Sequence, residues 1–341
     1  MNRIVGLDCL RIYSVIIVFL FHSWMHLECT FGKLTTFISE GAVYMTVFFM
    51  LSGYVLGMKY KNLSINSSSL IKFYKKRAIS IYPFYILCVI LYPILLGNET
   101  LVQNIMLLPI EILGLQSFFP TLNTITHNGG TWFVSCIIFC YIFSPLCIVI
   151  INGISRKVGA YLYILLWGIL LLLPWSIYVF HGNEIYTNPL IRLIEFTLGM
   201  ILALNVEIIV KRFYWITNKI SIISSYVFVI IIVMLLIKWH IPHISYMSYS
   251  AMLVPFFSWQ LLAHTTQKYV MKKVLKYCAD ISYSFFLMQL FAFKFTDVIV
   301  DYFNITSSIY ALLIAFFICF FFSILGHKII EQPIAIRLKR E

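Results

Sequence analysis

In the stretch LRIYSVIIVFLFHSW an arginine and a histidine, Arg11 and His22, bracket a run of almost entirely apolar residues. On an α-helix their eleven-residue spacing leaves them within about 20° of one face, separated by a rise of about 16 Å. A cation in the middle of a membrane helix costs about 2.5 to 3.5 kcal/mol on insertion scales, so such residues normally face a bundle interior or an aqueous cavity. One reading is a polar stripe lining a tunnel, with His22 as a general base. The other has Arg11 reaching back to lipid phosphates and His22 satisfying a bond between helices. A second charged pair, Arg192 and Glu195 in NPLIRLIEFTLGM, stands three residues apart and is expected near the depth of His22. A carboxylate beside an imidazole fixes its tautomer and raises its basicity. Alternatively, Arg192 and Glu195 form an internal ion pair that ties helices together. Glu40 is a further acidic candidate.

The elements that must hold these residues are membrane spans. The chain is 61% hydrophobic and 11% charged, with mean hydropathy +0.93, whereas a soluble chain carries about 25% charged residues. Runs long enough to cross a hydrocarbon core of about 30 Å as helices recur along the whole length. Ten are expected, at residues 8–28, 38–58, 79–97, 131–153, 158–179, 187–207, 220–238, 245–263, 279–297 and 307–329. The short alternating segments of a membrane β-barrel are absent from them. The expected fold is an all-α polytopic membrane protein of about ten transmembrane helices, one domain over residues 1–341.

Basic residues orient the chain, because short cytoplasmic loops hold the excess of Lys and Arg. With both termini cytoplasmic, 20 of the 25 basic residues fall inside. Only Lys33 and Lys238 fall in outside loops, and Arg11, Arg192 and Lys294 fall within spans. The net charge of +12 therefore reads as topology and attraction to membrane lipid, with no nucleic-acid partner. The first span is expected to stay as an anchor, with no separate signal peptide. Residues 98–130 form an expected outside loop, whose apolar part carries Pro109 and Glu111 mid-run and suits an interfacial or re-entrant segment better than another span. The eight cysteines lie in or beside apolar runs without metal-ligand spacing. His22 and His26 could share a metal, but no third ligand stands at useful spacing, so none is expected.

Seven segments in order resemble the bacterial acyltransferase 3 family, integral-membrane acyl-CoA-dependent O-acyltransferases of surface polysaccharides. They are GLDCLRIYSVIIVFLFHSW with its arginine and histidine, FFMLSGYVLG (48–57), FYKKRAISIYPFY (73–85), GGTWFVSCIIFCY (129–141), RLIEFTLGM (192–200), ISYSFFLMQL (281–290) and EQPI (331–334). The resemblance implies that His22 is the catalytic histidine and Arg11 its partner on the tunnel wall. It implies that Lys76 and Arg77, with Lys75, hold the phosphates of acyl-CoA. Three positions depart from the family pattern. Ser80 stands where a second arginine is frequent, Ile137 where a glutamate follows the tryptophan, and Gln289 where a histidine is common.

The function this implies is transfer of an acyl group, acetyl foremost, from cytoplasmic acyl-CoA to a hydroxyl of an exported glycan or its lipid-linked precursor, in the bacterial cytoplasmic membrane. His22 would deprotonate the acceptor or carry the acyl group itself. Ser52 is a conceivable nucleophile, although a Ser-Gly pair in a membrane helix more often permits close packing. The rival function is transport of a glycan or lipid-linked substrate. Inverted repeats with broken helices would mark it, and the sequence has none. Nothing in the sequence indicates an oligomeric state.

Overall fold

Hydropathy marks where a helix must be apolar, and the helix itself can run on into the charged layers beyond. The computed structural model describes residues 3–63, 65–96, 100–119, 129–179, 185–239 and 246–340. Its described residues are mostly helical and form no strand. The helices are α1 (Val5–Leu27), α2 (Thr35–Ile38), α3 (Met45–Lys59), α4 (Ser67–Leu95), α5 (Leu101–Ile112), α6 (Trp132–Gly153), α7 (Arg156–Val179), α8 (Pro189–Arg212), α9 (Lys219–Lys238), α10 (Tyr246–Thr265), α11 (Lys272–Phe303), α12 (Ser308–Gly326) and α13 (Gln332–Arg340). Nine segments among the described residues are long and apolar enough to span a membrane, built on α1, α3, α4, α6, α7, α8, α9, α11 and α12. The chain is an all-α polytopic membrane protein.

The tenth expected interval, the eighth in order, is filled by α10. Arg3 and Ile336 line the same cavity, so the two ends of the chain lie at one face of the bundle. An odd number of crossings cannot return a chain to the face it left. Counting α10 makes the number even.

Several helices outrun their apolar stretches. α4 begins at Ser67, capped by the Asn66 side chain, which accepts from Ser69 N at 2.8 Å. Its first turns carry Lys72, Lys75, Lys76 and Arg77, so the basic cluster sits on a rigid helix. α11 likewise opens on Lys272 and runs 32 residues. α12 passes through a π-helical turn, His327–Glu331, into α13. In the expected outside loop, α5 is held by a capping box between Thr100 and Gln103. At 12 residues it reaches about 18 Å, too short to cross the hydrocarbon core. Residues 98–99 and 120–128 of that loop lie outside the described residues.

The tightest contact in the bundle joins α3 to α8. A β-carbon on Gly53 would stand 1.8 Å from the Phe196 carbonyl oxygen, and one on Gly199 would stand 1.9 Å from that of Met50. Only glycine admits backbones this close, the device that lets membrane helices pack without a hydrophobic driving force. On the other side of the bundle α1 lies along α11. The Phe19 ring packs 5.4 Å from that of Phe285 and 5.2 Å from that of Phe293. These two contacts set the depth of Glu195 relative to α3 and of His22 relative to α11.

Candidate active site

At the face carrying both chain ends, a cavity of about 1270 Å³ opens between α4, α11 and the π-helical turn. Lys72, Lys75, Lys76, Arg77 and Lys276 line it. Such a mouth concentrates anions. Two acidic groups also face it. Arg3 bonds Asp280 at 2.5 Å and Asp8 at 2.7 Å, tying the start of α1 to α11. Burial works against the Arg3 charge, but the bonds to Asp8 and Asp280 outweigh it and raise its pKa above the ordinary arginine value. Glu331 of the EQPI segment accepts from Ser284 at 2.8 Å and meets His327 Nδ1 at 2.7 Å, which pins the π turn to α11.

A second cavity, of about 260 Å³, continues inward from the same place and shares Arg77, Ser80, Asp280 and Tyr283 with the mouth. Arg11 and Ser52 line it, and Met45, Phe133 and Phe286 form its deeper wall. Arg11, Arg77 and Ser80, scattered in sequence, thus meet around one space. Among the described residues Arg11 makes no hydrogen bond or ion pair. Arg77 lies over the rings of Tyr60 and Tyr141, at 5.9 and 5.7 Å, and its Nε is buried without a hydrogen-bond partner. Ser80 turns its hydroxyl back to the Arg77 carbonyl at 2.8 Å, so it takes up no charge where a second arginine would. Ser52 stands beside Gly53, whose missing side chain admits α8.

His22 does not line these cavities. It is half-buried between α1 and α11, where its Nδ1 lies 2.6 Å from Gln289 Oε1. Phe286, in the deep wall of the inner cavity, is one helical turn from Gln289. Phe293 and His26 close the other side, with His26 stacked on Phe293 at 5.6 Å. The imidazole therefore sits one turn beyond the aromatic end of the arginine-lined space. Among the described residues no group of three or more metal-ligating side chains converges.

Glu195 has different neighbours from those a role beside His22 would require. Its carboxylate meets Arg192 Nη1 at 2.8 Å and accepts from Thr46 at 2.8 Å, with both charged side chains fully buried. Arg192 donates to the Tyr186 carbonyl at 2.6 Å and lies against the rings of Phe49, Trp132 and Tyr186. The Arg192–Glu195 pair lies within α8; the bond from Thr46 ties it to α3 and the bonds to the Tyr186 carbonyl tie it to the chain just ahead of α8. Both charged groups thus have polar partners within the protein.

Two residues at the site had no motif of their own. Gln289 stood out only as a departure from a pattern, and nothing in the spacing pairs it with His22 across 267 residues. Asp280 carries no signal beyond its place one residue before ISYSFFLMQL, yet it lies where the cavities meet.

Membrane-spanning helices thus enclose a basic, arginine-lined cavity, with a half-buried histidine one helical turn beyond its aromatic wall. The chain belongs to the acyltransferase 3 family, whose profile, described as an acyltransferase domain, matches residues 4–328, nearly its whole length. No curated protein and no solved structure matches it. The molecule is thus a multi-pass membrane acyltransferase.

Proposed function

We propose that the protein transfers an acyl group, with acetyl as the favoured case, from cytoplasmic acyl-CoA to a hydroxyl of an exported glycan or its lipid-linked precursor, in the bacterial cytoplasmic membrane. The observation that carries this reading is the pair of arginines, Arg11 and Arg77, without salt-bridge partners in one cavity behind a lysine-rich mouth. A donor bearing several phosphates at one end and a thioester on a long thin arm suits that shape. The phosphates would meet Lys75, Lys76 and Arg77 by charge-assisted bonds, and the arm would pass Arg11. The excess of basic residues on this face supports placing it in the cytoplasm.

One helical turn beyond the inner end, His22 supplies the base. In direct transfer, His22 takes the proton of the acceptor hydroxyl while its oxygen attacks the thioester carbonyl. The carbon–sulfur bond then breaks, and the departing thiolate recovers the proton from the imidazolium. In the two-step route the imidazole attacks the thioester carbonyl, the carbon–sulfur bond breaks and CoA leaves as its thiol with the imidazole proton. The acceptor oxygen then attacks the acyl carbon, the acyl–nitrogen bond breaks and the hydroxyl proton returns to the ring. Both routes need one ring nitrogen free. Glu195 has no part in either, since Arg192 and Thr46 occupy it.

Mass spectrometry of surface polysaccharide from cells with and without the protein tests the reading. An added acyl mass that disappears in His22→Ala, with the variant inserted at normal amount, is the expected result. Unchanged glycan mass together with no consumption of acetyl-CoA by membranes containing the protein would reject it.

A further inference from the structure

We propose that Gln289 is a positioning residue: it holds the His22 imidazole with its proton on Nδ1 and so leaves Nε2 as the basic nitrogen. The inference rests on the reading of His22 as the base and adds which nitrogen works and what selects it. With the Gln289 amide turned so that Oε1 faces His22 Nδ1 at 2.6 Å, the oxygen can only accept, and that contact places the proton on Nδ1. A neutral imidazole has one such proton, and Nε2 is then bare.

Packing keeps the ring in this relation. Phe285, Gln289 and Phe293 are four residues apart on α11 and share one face. Phe19, His22 and His26 form the facing row on α1, with Phe19 packed on Phe285 and Phe293 and with His26 stacked on Phe293. Gln289 and His22 are thus a polar layer between aromatic layers. Exchanging the two ring nitrogens would mean turning the imidazole within that stack.

A packing role alone does not account for the glutamine. Its side chain is 2% exposed, and its Nε2 has no hydrogen-bond partner. A buried amide left half paired costs stability, and leucine or methionine would fill a similar volume without that cost. The single bond that Gln289 does make goes to the one side chain whose protonation pattern the chemistry depends on. Orienting partners of this kind are a general requirement of working histidines.

The test separates orientation from catalysis. In the full-length protein labelled with nitrogen-15 histidine, the His22 signals are identified by their loss in His22→Ala. Nitrogen shifts then report which ring atom carries the proton. We expect Nδ1 to be protonated in the wild type and the proton to move to Nε2 in Gln289→Leu. That variant should melt at the same or a higher temperature, while acyl transfer from acetyl-CoA falls by about 10²- to 10⁴-fold. Gln289→Glu, which still accepts from Nδ1, should keep the wild-type tautomer and recover most of the rate. A wild-type proton on Nε2, or an unaltered tautomer in folded Gln289→Leu, would overturn the proposal. A moved proton with wild-type transfer would uphold the positioning and reject His22 as the base.

Discussion

Arg11 and Arg77 line the same inner cavity, and neither forms a salt bridge among the described residues. Among the described residues Asp280 is the one carboxylate lining that cavity, so the two cations leave it with a positive excess that an anionic ligand would neutralise. Their shared exposure to one space is what makes that space read as a donor site, and it separates them from Arg3 and Arg192, which are committed to carboxylates.

If the mouth and the inner cavity take the donor, replacing Lys76 and Arg77 together by glutamine should raise the acetyl-CoA concentration at half-maximal rate. The rise should be several-fold to about a hundredfold, from bonds of about 1 to 3 kcal/mol. Acceptor dependence should stay nearly unchanged. Ser80→Arg, which adds a cation beside Arg77 at the edge shared by both cavities, should lower the donor requirement or leave it as it is. Donor titrations on correctly inserted protein measure both, and an unaltered donor dependence in the double variant would remove these residues from the site.

Glu195→Gln should act on folding rather than turnover. It strands the fully buried Arg192 charge, a loss of about 3 to 5 kcal/mol. The yield of folded protein and its melting temperature should fall, with the rate per folded molecule close to normal. A stable variant with abolished turnover would instead give Glu195 a role in the chemistry.

The α3–α8 contact predicts a sharp contrast between glycines. Gly53→Ala and Gly199→Ala drive a methyl group into a facing carbonyl and should each cost about 1 to 3 kcal/mol or more. Gly168, on α7, has nothing within 4 Å of a built β-carbon, so Gly168→Ala should be neutral or stabilise by up to about 1 kcal/mol. Thermal melting of the three variants in detergent decides it.

The sequence showed the spans and the charge bias because both are local: apolar runs report burial in lipid, and lysines cluster where helices end. It could not show where α4 and α11 begin, since a helix continues through charged residues once its cap and neighbours hold it. The same limit governs the site. Helical spacing put Arg11 and His22 on one face, but α1 passes several neighbours along its length. Arg11 meets the cavity, and His22 meets Gln289 on α11. The relation of Glu195 to His22 depended on how α8 packs. The glycines that decide this, Gly53 and Gly199, have no meaning until the two backbones are seen together.

The last prediction concerns the face on which the donor arrives, and its decisive segment is α10. If α10 crosses the membrane, Lys238 and Lys268 on either side of it lie at opposite faces, and Lys268 shares a face with Ser67. All four positions, Lys33, Ser67, Lys238 and Lys268, are exposed. The described native cysteines are all buried or half-buried, so the parent protein serves as a low-background control. Cysteines at positions 33 and 238 should react with an impermeant maleimide added to intact cells. Those at 67 and 268 should react only after the membrane is opened, because the lysine-rich loops stay in the cytoplasm. Labelling at 67 from outside would reverse the orientation and place the basic mouth where no cytoplasmic acyl-CoA could reach it. Labelling at 238 and 268 from the same side would mean that α10 fails to cross. That would leave an odd number of spans and contradict the shared cavity of Arg3 and Ile336.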